Sequence, residues 1–132
     1  MDKVVNPDSL APPRGYSNGM VLGPGRLLFV AGQIGWDRES RLVSTEMTAQ
    51  FEQALKNVTE VVREAGGQPT DVGRLTIYVT DKKRYIAEAK SIGASYRSVM
   101  GRHFPAMALI EVAGLLEEGA LVEIEATAVL SP

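Results

Sequence analysis

The chain has no cysteine and a single histidine among its 132 residues. Without thiols it forms no disulfide, no thiolate metal site and no cysteine nucleophile. One histidine cannot build a histidine-rich metal centre, and a Ser-His-Asp device would depend on His103 alone. Charge excess is also small: 14 Lys and Arg stand against 16 Asp and Glu, for a net charge of -2. That balance provides no electrostatic footprint for nucleic acid or an anionic membrane. No apolar run approaches the ~20 residues that span a bilayer, and no signal-peptide core opens the chain. The expectation from these absences is a soluble cytoplasmic protein with no membrane and no nucleic-acid partner. Gly23-Pro24-Gly25-Arg26 lacks the Gly-Lys-Ser/Thr ending and the following helix of a phosphate loop, so it reads as a turn.

What is present is ordinary globular material, 45% hydrophobic and 23% charged, in one expected domain over 1–132. Pro7, Pro12, Pro13 and Gly15 predict an irregular arm over residues 1–15. Met20 to Leu22, the Gly23-Pro24-Gly25 turn and Arg26 to Ile34 predict a β-hairpin. From Thr45 the period changes: Met47, Phe51, Ala54, Leu55, Val58, Val61, Val62 and Ala65 form one helical stripe. Thr45 is its expected cap and Gly66-Gly67 its end. Val72 to Thr80 returns to period two, with Leu75, Ile77 and Val79 on one face and Arg74, Thr76 and Tyr78 on the other. Asp81 then caps a second helix to about Met100, with the stripe Ile86, Ala89, Ile92, Tyr96, Val99 and a glycine, Gly93, inside it.

Two further strands close the chain, His103 to Val112 and Leu121 to Val129. On the second, Glu123 and Glu125 leave on one face while Val122, Ile124, Ala126 and Ala128 leave on the other. The order β-β-α-β-α-β-β suits an α+β fold, a mixed sheet with both helices on one face. The opposite face is then expected to carry Gln33, Arg74, Thr76, Tyr78, Met107, Leu109, Glu111, Glu123, Glu125 and Thr127. That mixture is too apolar for a solvated face and too polar for a core, and suits a subunit interface with embedded polar sites. Surface or interface acids are the commoner meaning of such a glutamate pair; a general acid-base is the alternative. His103 at a helix-to-strand junction reads as structural, and Tyr16 as either a packing residue or a hydroxyl donor.

Four segments carry more: Gly15-Tyr16-Ser17-Asn18-Gly19, Val30-Ala31-Gly32-Gln33-Ile34, Phe104-Pro105-Ala106 with Ile110-Glu111-Val112, and Val122-Glu123-Ile124-Glu125-Ala126. In order and spacing they resemble the reactive intermediate deaminase family (Rid, also YjgF or UK114), and the resemblance spans nearly the whole chain. It implies a chorismate-mutase-like fold, a homotrimer whose sheets form a central barrel, and small-molecule clefts at the subunit interfaces. It also implies hydrolysis of enamines and imines, such as 2-aminoacrylate and 2-iminopropionate, to the keto acid and ammonia without a metal or organic cofactor. Older labels for the family include endoribonuclease and translation inhibitor; the charge balance here argues against ribonuclease activity.

By the resemblance, Tyr16 and Glu123 take the catalytic positions, and Gly32 and Gln33 form the polar wall. The arginine that clamps the substrate carboxylate is replaced by Met107, the residue two further on is Leu109, and an asparagine of the second helix is replaced by Gly93. Methionine offers soft apolar bulk where the family has a bidentate donor. The expected cleft is therefore larger and more apolar, with Met107, Leu109, Gly93 and Arg14 against the substrate, and Arg14 or Arg102 as candidates for a replacement charge. Two functions follow: deamination of an enamine or imine bulkier or less anionic than 2-aminoacrylate, or non-catalytic binding of a small metabolite by a trimer.

Overall fold

The helical stripe read from the sequence is the centre of the core. In the computed structural model, which describes residues 2–132, helix α1 (Met47–Glu64) buries Met47, Phe51, Ala54, Leu55, Val58 and Val62. Gly66, at φ 94°, takes the left-handed conformation that ends the helix, and its N–H donates to the Arg63 carbonyl. The start is capped differently from the expectation. Thr45 does not cap it; the carboxylate of Glu88, 40 residues away, accepts from the Thr48 N–H at 3.2 Å and the Thr48 hydroxyl at 2.6 Å. A distant anion meets the positive end of the helix dipole there.

Glu88 also divides the second expected helix. Asp81 caps α2 (Lys82–Ala87) by accepting from the Arg84 N–H, and the chain leaves helical geometry at Glu88 before α3 (Ala89–Met100). The break turns the Glu88 carboxylate onto α1 and leaves Ile86 68% exposed, outside the apolar stripe assigned to it. Ile92, Tyr96 and Met100 of α3 pack into the core.

The helices cover one face of a four-stranded mixed sheet in the order β3-β6-β4-β5: β3 (Arg26–Gln33), β4 (Val72–Val79), β5 (Ala106–Glu111) and β6 (Val122–Leu130). β4 and β5 run parallel because α2 and α3 carry the chain back between them; the other pairs are antiparallel. Alternation on β6 is as read: Val122, Ile124, Ala126 and Ala128 are buried beneath the helices, Glu123, Glu125 and Thr127 half-buried on the open face.

Two N-terminal expectations are corrected. The arm is not wholly irregular, since β1 (Lys3–Val5) pairs with β2 (Gly19–Val21) as a small separate sheet. Nor do β2 and β3 form a hairpin. The Gly23-Pro24-Gly25 turn lies between them, but β3 pairs with β6, which places Leu28 and Val30 beside Ala128 and Ala126 on the helix-covered face. Burying that apolar pair against α1 outweighs pairing with a three-residue neighbour.

Candidate functional site

A pocket of about 220 Å³ opens between α3, β5 and the segment before β2. Its floor and walls are apolar: Phe51 from α1, Ile92 and Tyr96 from α3, Phe104 from the segment before β5 and Met107 from its start. Tyr96 stacks on Phe104 with ring centres 5.4 Å apart, and its hydroxyl donates to the His103 carbonyl at 2.6 Å. Phe51 meets Tyr85 edge to face at 6.2 Å. Burial pushes the phenols of Tyr85 and Tyr96 above the ordinary tyrosine range, so both walls stay neutral. His103 is held too: its Nε2 lies 2.6 Å from the Val72 carbonyl, which can only accept, so the ring donates and serves as a brace.

Met107 belongs to this pocket and not to the open face assigned to it. Parallel pairing sets Met107 beside Leu75 and Ala108 beside Thr76, so Ala108 and Ile110 are the β5 residues on the open face. Leu109 pairs with Ile77 and is 42% exposed further along the strand, outside the pocket wall. Glu111 likewise pairs with the buried Val79, and its carboxylate accepts from the Lys82 N–H at the start of α2. Gly93 and Arg14 line this pocket, with Gly15 beside Arg14. Tyr16 follows Gly15; it is exposed and forms no hydrogen bond through its hydroxyl among the described residues. The next residue pins this segment to the pocket, since Ser17 donates from its N–H to Pro105 and from its hydroxyl to Phe104.

Glu123 stands on the opposite face of the sheet, paired with Tyr78. Its carboxylate lies over Gly32, where an added Cβ would come within 2.8 Å of Glu123 Cδ, so any larger residue would push the carboxylate aside. Glu125 is engaged by the Tyr78 hydroxyl at 2.5 Å; that hydrogen bond, with burial and the charge of the glutamate, holds the phenol above its ordinary range. Gln33 does not join this group. A register shift between Val30 and Gln33 turns its side chain to the outer edge of the sheet, beside Asn57 and Gln53 of α1, and its Nε2 donates to Ala31.

One chain thus presents two separated halves, an apolar pocket with Met107, Gly93 and Arg14 and, behind the sheet, a carboxylate seated on Gly32. Among the described residues no three acidic or histidine side chains converge as a metal site.

The sequence model of the Endoribonuclease L-PSP family matches residues 7–130. The chain belongs to this family. Rid and YjgF are its other names, and solved structures bearing them are similar in sequence and in shape. The Rid-family protein YyfB of Yersinia pestis, of unknown function, shares 37% identity with a TM-score of 0.87 over 98% of both chains. The YjgF gene product of E. coli shares 31% with a TM-score of 0.68, over 86% of this chain and 87% of that one. Human 2-iminobutanoate/2-iminopropanoate deaminase is 33% identical over 127 residues, 96% of this chain and 85% of the human protein. In this Rid-family chain, one pocket-lining cation was absent from the sequence candidates: Arg97 of α3. Its local signal was a mid-helix glycine with an arginine one turn later, Gly93 and Arg97. Arg102, the other expected source of charge, does not line the pocket.

Proposed function

We propose that this Rid-family chain is a cofactor-independent enamine/imine deaminase that acts as a cytoplasmic homotrimer on a substrate bulkier than 2-aminoacrylate. The observation that carries the reading is the pocket around Met107, whose aromatic and aliphatic walls suit a large apolar substituent. The second support is the carboxylate of Glu123, the family's acid-base position, seated on Gly32. Because the two lie on opposite faces of one sheet, they come together only if the pocket of one subunit meets the Glu123 face of another. The open face favours such an assembly: Phe29 is 74% and Leu27 63% exposed on it.

In this reaction an enamine first takes a proton from solvent on carbon to become the iminium. Water adds to the iminium carbon while Glu123 accepts one of its protons, giving a neutral carbinolamine. Glu123 returns that proton to nitrogen, the C–N bond breaks to release ammonia, and the carbinolamine hydroxyl gives up its proton to the Glu123 carboxylate, and from there to solvent, as the carbonyl forms. Tyr16 donates a hydrogen bond to the developing oxygen or nitrogen charge, and the pocket holds the substituent so that the imine carbon faces the water.

Ammonia release from imines generated in situ by an amino acid oxidase tests the reading, with 2-aminoacrylate from a dehydratase as the small comparison. Wild type is expected to prefer phenylalanine- or leucine-derived imines, and Glu123→Gln to lose about 10²–10⁴-fold of the rate, the range of a general acid-base. Met107→Arg is expected to move preference towards 2-aminoacrylate. Equal rates for wild type and Glu123→Gln on every imine would remove the mechanism. A second reading, metabolite binding without turnover, draws on Met107 standing at the clamp position; ligand-dependent thermal shifts with no ammonia release from any imine would select it.

A further inference from the structure

We propose that Arg97, assisted by Arg14, is the anion clamp of this pocket, and that the substrate is a 2-imino or 2-enamino carboxylate with a large apolar substituent. The nitrogen chemistry rests on the deaminase reading above; the clamp itself binds a carboxylate whether or not turnover follows.

The geometry starts with Gly93. Arg97 is four residues on, one helical turn, and helical side chains run back towards the N-terminus, so Arg97 passes over position 93. Its Nη1 lies 3.3 Å from where a Cβ of residue 93 would sit. The glycine therefore gives the guanidinium its seat, and both residues line the pocket. Arg14 reaches the same mouth from the segment that Ser17 ties to Phe104 and Pro105.

Neither arginine has an acidic partner among the described residues. Arg41, Arg63, Arg84 and Lys56 each lie within 4.0 Å of a carboxylate, whereas Arg14 and Arg97, like Arg26, Arg38, Arg74 and Arg102, do not; what sets the first two apart is their place at the pocket. Both guanidiniums border the same apolar pocket with their charged ends exposed, and a carboxylate held there would receive charge-assisted hydrogen bonds from them. The positive charge missing at Met107 is thus supplied from α3 and the pre-β2 segment. A carboxylate held at the mouth directs the substituent down onto Ile92, Phe104 and Met107. The imine carbon, one bond from the carboxylate, then stays at the mouth, where a second subunit's Glu123 has access to it.

Calorimetric titration with phenylpyruvate, a 2-oxo acid of product type, and with phenylacetone, its uncharged counterpart, tests the clamp without turnover. Wild type is expected to bind the acid at least about tenfold more tightly than the ketone. Arg97→Gln should lose about tenfold to a hundredfold in acid binding and little in ketone binding, the range for a hydrogen bond to a charged group. Arg97→Lys, which keeps the charge without the fork, should fall between. Gly93→Ala displaces the guanidinium by a few tenths of an ångström in a more helix-prone chain; it gives a second reading if Arg97→Gln folds poorly, with weaker acid binding expected. Unchanged acid preference in Arg97→Gln, or no acid preference in wild type, overturns the clamp. Imine turnover by wild type with an unaltered KM in Arg97→Gln also overturns it, while leaving the deaminase reading intact. Lost acid preference in Arg97→Gln, in a protein with no imine turnover, keeps the clamp and removes the deaminase.

Discussion

Replacing Gly32 with alanine tests whether the position of the Glu123 carboxylate matters to the proposed reaction, without deleting the group. A Cβ at residue 32 would lie 2.8 Å from Glu123 Cδ and 3.0 Å from its Cγ, against the 3.4 Å at which ordinary contact begins. The carboxylate has to swing away, and with its oxygens nearest the new methyl the displacement is about 1 Å, a misplacement that costs on the order of 10²-fold in rate. Stability should change little, by less than about 1 kcal/mol, because the yielding group is the free end of a half-buried side chain on the open face of the sheet. The assay is single-turnover ammonia release from a phenylalanine-derived imine, run beside urea unfolding of the same preparations. The expected result is a kcat loss approaching that of Glu123→Gln, with a nearly unchanged unfolding midpoint. A Gly32→Ala protein with wild-type kcat would mean that the carboxylate over residue 32 takes no part in the chemistry.

Gln50 is fully buried; its Nε2 donates to the Ser44 and Gly119 carbonyls and its Oε1 accepts from the Leu121 N–H, so α1 holds both loops. Gln50→Leu leaves three backbone groups unpaired and should cost about 3 kcal/mol in urea unfolding; a loss below about 1 kcal/mol would refute that accounting. Hydrogen bonds from Thr48 and the charge of Arg84 hold the Glu88 carboxyl below the ordinary glutamate range, so its stabilisation is present above that range and fades as pH falls through its lowered value. Glu88→Gln should accordingly cost about 1 kcal/mol near neutral pH, with the gap to wild type closing in acid; a constant gap down to about pH 2 would contradict the capping role. Phe29→Asp places a charge on the exposed sheet face and, on the proposed trimeric assembly, should give monomers in light scattering; a mass equal to that of wild type would show that this face is not an interface.

The chain by itself determined whatever depends on neighbours in sequence. The apolar stripe of α1, the start of α2 at Asp81, and the alternation on β6 that puts Glu123 and Glu125 on one face follow from side-chain period and capping, and the structure keeps them except for Val61, which α1 turns out to solvent. Tertiary structure decided pairing, parity and destination. Nothing local to Phe104-Pro105 says which face residue 107 takes; the register with β4 does, and it moved Met107 and Leu109 to the opposite face from Glu123. A register shift did the same to Gln33, and the Gly23-Pro24-Gly25 turn was legible while its partner strand was not. The same limit hid Arg97, whose spacing from Gly93 is written in the sequence but whose seat at an apolar mouth exists only once α3 packs against β5. The physical reason is that period and propensity belong to a short stretch of backbone, whereas a one-residue change of register reverses every side chain of a strand and is set by distant partners.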